Sequence, residues 1–265
     1  MKIGVFDSGL GGLTAVRELF RIVPGADIVY LGDTGRVPYG SKSKETITRY
    51  AVQALEWLSS TGVGAIVVAC GTVSSVALEG LRCSVPLFGV VEAASRKAAE
   101  YSVNGRIGVI ATAATVRSGA YERAIASVRG GAEVIVRACP LFVPLVENGR
   151  VSPRDAVVRT IAEDHLREIR GFGADTLLLG CTHYPLLSEV ISEVMGGGVT
   201  LVDSGKEAAS MCVRELGADK LDSGGVGHLA CFATDSAEDF KKQAEIFLGG
   251  LPINSVKKLN WIDVL

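Results

Sequence analysis

Two cysteines hold the same place in two distant stretches of the chain. "GAIVVACGTVSS", residues 64–75, carries an apolar run from Ala65 to Ala69 into Cys70, and "GADTLLLGCTHYP", residues 173–185, does the same with Cys181. A threonine follows each thiol within two residues, and a helical pattern follows that, so Thr72 or Thr182 is expected to cap the next helix. A thiol at the start of a helix faces free N–H groups and the positive end of the helix dipole, which favour its thiolate. An ordinary thiol is only a few per cent ionised at neutral pH, and lowering its pKa by about one unit, roughly 1.4 kcal/mol, makes it a useful base. The same N–H groups receive carboxylates. A thiol beside an anion site, present twice, suits one kind of reaction: one thiol takes a proton from a carbon acid and the other returns a proton to the opposite face. Nucleophilic catalysis needs one thiol, a base and an oxyanion hole. The duplication therefore favours two-base racemisation or epimerisation, with neither cofactor nor metal.

Other polar groups stand where apolar runs stop. Asp7 and Ser8 end "KIGVFDS", Thr112 and Thr115 follow "RIGVIA", and His183 lies two residues after Cys181. In open parallel sheets, ligands bind beyond the carboxyl ends of the strands, and a carboxylate there can meet an ammonium group or hold a base. The glycines of "DSGLGGLTAV" are not spaced G-x-G-x-x-G, no G-K-[ST] follows, and Asp7 would repel a phosphate. Steric need at a strand-to-helix turn accounts for them better. His165, in "EDHLREIR", reads as part of a solvated helix face. Cys83, Cys139, Cys212 and Cys231 form no C-x-x-C pair and read as small, reduced core residues.

The elements that must position these groups alternate. Apolar runs occupy 2–6, 27–31, 65–69, 86–91, 106–111, 133–137, 175–180, 199–202 and 228–233, and helical patterns lie between them, as in "SPRDAVVRTIAEDHLREIRGF". Continuous apolar strands alternating with helices imply parallel sheet covered on both faces. The chain also repeats itself weakly. "KIGVFDSGLGG" and "RIGVIATAATV" each open a half, and Cys70 lies 67 positions after Ile3, as Cys181 lies 74 after Ile107. Duplication of this kind gives two facing, pseudo-symmetric α/β domains of mainly parallel sheet, joined near 92–105, with the polar strand ends converging on the cleft between them.

Bulk properties narrow the classes. The chain has 265 residues, 48% hydrophobic and 21% charged, with net charge −2. That composition suits a globular protein and gives no general case for nucleic acid or an anionic membrane as partner. No apolar stretch reaches the roughly 20 residues of a membrane span, and "MKIGVFDSG" lacks the apolar core of a signal peptide. The expected location is the cytoplasm.

The motifs "FDSGLGGLT", "VPYGSKS", "VVACGT", "GVIATAATVRSGAY", "CPLFVPLVENG", "LLLGCTHYPLL" and "VDSG" run in order through most of the chain. In these it resembles the glutamate racemases of the aspartate/glutamate racemase superfamily. The resemblance implies cofactor-independent interconversion of L- and D-glutamate for peptidoglycan synthesis. It implies Cys70 and Cys181 as the proton-transfer residues, Asp7 assisting the first, His183 the second, and Glu147 nearby. Ser8, Tyr39, Gly40, Gly71, Thr72 and Thr182 would line the substrate, with His183 and Asp7 also touching it, and Thr112 and Thr115 close to its side-chain carboxylate. Two domains are implied, 1–95 together with 207–265, and 96–206; a homodimer is one assembly the resemblance allows. Alternatives are a racemase for another acidic amino acid such as aspartate, and a non-catalytic amino-acid-binding protein. His183 favours glutamate, because aspartate-type relatives generally place an acidic residue there. One position departs: the family usually has Asn after the first cysteine, and Gly71 stands here. Either the Gly71 N–H and an ordered water take over the contact, or the contact is lost and KM is high; glycine would also permit a positive φ that presents its N–H directly. Water replacement is the expected case, and under it Gly71→Asn raises kcat/KM by less than about tenfold.

Overall fold

Runs of Val, Ile and Leu without polar interruption need both faces covered, and the computed structural model, which describes residues 1–261, covers them. The strands are β1 (Ile3–Asp7), β2 (Asp27–Gly32), β3 (Ala65–Val68), β4 (Leu87–Gly89), β5 (Arg106–Ala111), β6 (Glu133–Ala138), β7 (Thr176–Leu179), β8 (Thr200–Asp203), β9 (His228–Ala233) and β10 (Ser255–Lys258). β1, β3 and β7 are buried along their whole length. The helices show amphipathic spacing. Helix Ala156–Phe172 buries Val158, Ala162, Leu166 and Ile169; the Asp155 carboxylate caps its start and left-handed Gly173 ends it.

Two parallel sheets result. One runs β10-β9-β2-β1-β3-β4 and the other β6-β5-β7-β8. Matching β1 to β5, β2 to β6, β3 to β7 and β4 to β8 gives the same strand order in both, so the internal repeat seen in the sequence is a repeat of topology. β1 and β5 even pair in the same way, with Ile3 beside Ala65 and Ile107 beside Thr176. The first sheet is extended beyond β2 by β9 and β10, after helix Ser204–Leu216 carries the chain back against helices Leu13–Ile22 and Val90–Tyr101. One buried apolar cluster includes Val5 and Val67 of the first sheet and Leu177 and Leu179 of the second. Of the expected segment 207–265, the last four positions lie outside the described residues.

The expectations for elements need three corrections. β10, "SVKK", was not among the expected strands; it is an edge strand whose half-buried and exposed residues carry no apolar run, and it pairs only with β9. His165 is not on a solvated face: it is half-buried, its ring lies edge-on to Phe142 at 5.2 Å, and burial holds its pKa below the usual value. The threonines after the cysteines do not cap. Cys70 itself is the N-cap of the short helix Gly71–Val76, and Thr72 turns its hydroxyl to Thr112. Among the described residues no helix is long and apolar enough to cross a membrane.

Candidate active site

Equivalent strand ends bring the two thiols to one cavity. β3 ends two residues before Cys70, β7 ends two residues before Cys181, and both cysteines line a cavity of about 520 Å³ between the sheets. Asp7, Ser8, Tyr39, Gly40, Gly71, Thr72, Thr112, Glu147, Thr182 and His183 line it too. Thr115 does not. It is buried behind Thr112, bonded to the Thr112 hydroxyl at 3.0 Å, and accepts a bond from Ser75 at 3.3 Å. Sequence reasoning missed an apolar wall formed by Pro38, Pro140, Val143 and Pro144, together with Cys139, read above as plain core. The "CPLFVP" stretch carried two prolines and a cysteine in one turn, which is the signal that could have found it.

The two thiols have unlike company. The Cys70 thiol donates to Ser8 Oγ at 3.3 Å. Burial, and then the charge of Asp7, push its pKa up to about 12, against the stabilising Ser8 bond. The thiolate favoured by a helix start in the sequence reading is therefore outweighed: this helix has six residues and the thiol is buried beside a carboxylate. Asp7 accepts the Gly9 N–H at 2.9 Å. Burial raises its carboxyl pKa, with the charge of Glu147 adding, while the His183 charge and the N–H groups of Gly9 and Gly12 oppose the rise.

Cys181 Sγ lies 3.9 Å from His183 Nδ1, and His183 Nε2 lies 3.1 Å from Glu147 Oε1. Burial works against the imidazolium, but the bonds to Cys181 and Glu147 and the charges of Cys181 and Asp7 prevail and raise the His183 pKa to about 10. The imidazole thus bridges a thiol and a half-exposed carboxylate, an arrangement that moves or holds a proton at Sγ. Among the described residues, no group of three or more His, Cys, Asp or Glu side chains is placed to hold a metal ion.

Close backbone approach sets the spacing of the two halves. A Cβ on Gly11 would lie under 3.0 Å from Thr182 Oγ1 and His183 Nδ1, so the glycine-rich turn after β1 makes room for the second half-site rather than for a phosphate. Gly71 is not among the positive-φ glycines; it is the first residue of its helix. A Cβ there would lie under 3.0 Å from the Gly180 carbonyl oxygen. Glycine at 71 is therefore a matter of space, not of φ, and the expected gain from Gly71→Asn becomes an expected loss.

The model of the Asp/Glu/hydantoin racemase family matches residues 3–212. The chain is 44% identical over 252 residues to a glutamate racemase of Geobacter metallireducens, covering 94% of this chain and 93% of that one. Its fold is similar to that of glutamate racemase from Francisella tularensis in complex with D-glutamate, with TM-score 0.90, 34% identity and coverage of 99% and 98% of the two chains. It is also similar to the Thermus thermophilus glutamate racemase in complex with β-chloro-D-alanine, with TM-score 0.86, 40% identity and coverage of 100% and 98%.

Proposed function

The chain belongs to the Asp/Glu/hydantoin racemase family, and from that premise we propose that it interconverts L- and D-glutamate by proton transfer at Cα between Cys70 and Cys181. It is an isomerase, an amino-acid racemase. The observation that carries the reading is the placement of two thiols, at equivalent ends of two like sheets, on one cavity of about 520 Å³.

The steps follow from the company each thiol keeps. At neutral pH Cys70, with its pKa near 12, holds its proton and is the donor on its face. On the other face the base is Cys181 Sγ as the thiolate, whose charge is met by the His183 imidazolium until it takes the proton. The base takes the Cα proton; the electron pair passes into the α-carboxylate as an enediolate; Cys70 then gives its proton to the opposite face. The sulfurs finish with their protonation states exchanged, and the reverse reaction begins from that state. Asp7 receives the α-ammonium, and Thr112 and Thr72, bonded to each other at 3.1 Å, face the side-chain carboxylate. The two catalytic halves are read as domains 1–95 with 207–265, and 96–206. The reaction is placed in the cytoplasm, where D-glutamate enters peptidoglycan synthesis.

Circular dichroism of L-glutamate incubated with purified protein and no added cofactor tests the reading: the signal decays to zero, and in deuterium oxide the product carries deuterium at Cα. Inversion with full retention of the substrate proton, or racemisation of L-aspartate at an equal rate, would overturn it.

A further inference from the structure

The part of the cavity wall that Tyr39 forms is fastened from outside by one buried carboxylate. Asp33 follows β2 and is completely buried. Four side chains donate to it: Arg36 Nε at 2.6 Å, Thr234 Oγ1 at 2.8 Å, Trp261 Nε1 at 2.9 Å, and the Tyr39 hydroxyl. Its backbone N–H donates to the Asp7 carbonyl at 3.1 Å. These donors come from three places: the loop that contains Tyr39 and Gly40, the end of β9, and the segment after β10. Trp261 does more than donate. The Arg36 guanidinium lies over its ring at 4.3 Å and over that of Tyr50 at 3.9 Å. A buried carboxylate needs its donors, and removing one leaves charge uncompensated and its remaining partners free to shift. Tyr39 reaches the cavity with its ring and Asp33 with its hydroxyl, so whatever sets Asp33 sets the wall.

We propose that Trp261 is a positioning residue for substrate: through Asp33 it holds Tyr39 and Gly40 against the bound amino acid, so that the segment after β10 governs affinity rather than proton transfer. This rests on the reading that Tyr39 and Gly40 line the glutamate site. It gives the segment that follows edge strand β10, none of which lines the cavity, a part in the activity.

The test is steady-state racemisation of both glutamate enantiomers by wild type, Trp261→Phe, Tyr39→Phe and the double variant, with melting temperatures alongside. Trp261→Phe keeps an aromatic ring for Arg36 and removes the indole N–H, the packing lost with the smaller ring being read from the melting temperature. KM is expected to rise about three- to tenfold in both directions, with kcat changing less, since the lost bond acts on binding. The double variant is expected to match Tyr39→Phe alone, because Trp261 acts through Tyr39. A lower melting temperature with KM within about 1.5-fold of wild type would mean a merely structural contact and overturn the inference. Strict additivity with Tyr39→Phe would overturn it as well. Should Trp261→Phe fail to fold, Trp57→Phe leaves Trp261 as the sole indole of the chain's two. Its emission should then change on titration with glutamate, and a flat titration through saturation overturns the coupling. A wild type without activity on glutamate sinks the functional reading itself; an active wild type with unmoved constants sinks only this one.

Discussion

The half-site around Cys70 and the half-site around Cys181 share a backbone plan and differ in chemistry. Both thiols follow the third strand of the same four-strand order. The carboxylate beside Cys70 comes from the end of β1, at Asp7; the matching position at the end of β5 is Ala111, which brings no charge. The base beside Cys181 comes from its own turn, at His183, and is held by Glu147 from helix Phe142–Glu147; the matching residue after Cys70 is Thr72. The duplicated fold thus fixes where each sulfur sits, and single side chains fix which groups surround it. Racemisation needs that division. Two sulfurs must face one carbon from opposite sides, yet at any moment one must hold a proton and the other must not.

The comparison breaks most severely if either sulfur goes. Cys70→Ser and Cys181→Ser should each lower racemisation by at least about 10²-fold, the usual contribution of a positioned acid or base. Cys139→Ser is the control, because Cys139 is a residue of the same cavity whose thiol has no catalytic partner. Turnover near wild type in either of the first two, measured polarimetrically, removes that sulfur from the reaction.

Gly71 tests how close the halves must stand. An asparagine there must push the Gly180 carbonyl, and with it the Cys181 turn, away from Cys70. Overpacking of this kind costs about 1–3 kcal/mol, so kcat/KM for glutamate should fall on the order of tenfold, with a lower melting temperature. Gly71→Ala should do the same more mildly. An unchanged or improved kcat/KM in Gly71→Asn would show that the two halves separate freely and that the observed approach is not needed.

The sequence made the repeat, the thiols, Asp7 and His183 legible because each rests on a local signal: an apolar run that stops, and a polar group just past it. What it hid depends on contacts between distant segments. β10 carries Lys257 and Lys258 on an exposed edge, where no apolar pattern is required. The pKa of Cys70 depends on burial and on Asp7, 63 residues earlier, so the helix-start argument alone had the wrong sign. The reason for glycine at 71 lies in residue 180. Half-buried His165 and buried Thr115 were misplaced for the same reason: residue type and spacing do not say what a neighbouring element covers.

The second half-site also leaves a mark on stability. His183 has a folded pKa near 10 against an ordinary 6.5. The native state therefore binds more protons than the unfolded one between those values, and stability falls as pH rises from about 6.5 to about 10. Cys70, near 12 against 9.0, extends the fall above pH 9. Melting temperature should decline across this range in wild type, and His183→Asn should flatten the part below pH 9. An unaltered slope in His183→Asn would place the titration elsewhere.

Glu147 gives the smallest effect and the sharpest distinction between the halves. Its side chain is about half exposed, so solvent screens its charge. Glu147→Gln keeps an oxygen that can accept from His183 Nε2 but removes the negative charge that helps hold the imidazolium. The His183 pKa should drop, the alkaline limb of kcat/KM should move to lower pH, and the rate at neutral pH should fall by less than about tenfold. Because Glu147 reaches Cys181 only through His183, the same change made in His183→Asn should do nothing more. On the Cys70 side the change should be felt only through Asp7, whose raised carboxyl pKa loses the contribution of the Glu147 charge, since the thiol's own hydrogen-bond partner is Ser8. A full additional loss from Glu147→Gln in the His183→Asn background would show that Glu147 touches the reaction directly. The second half-site would then hold two independent groups where the first holds one.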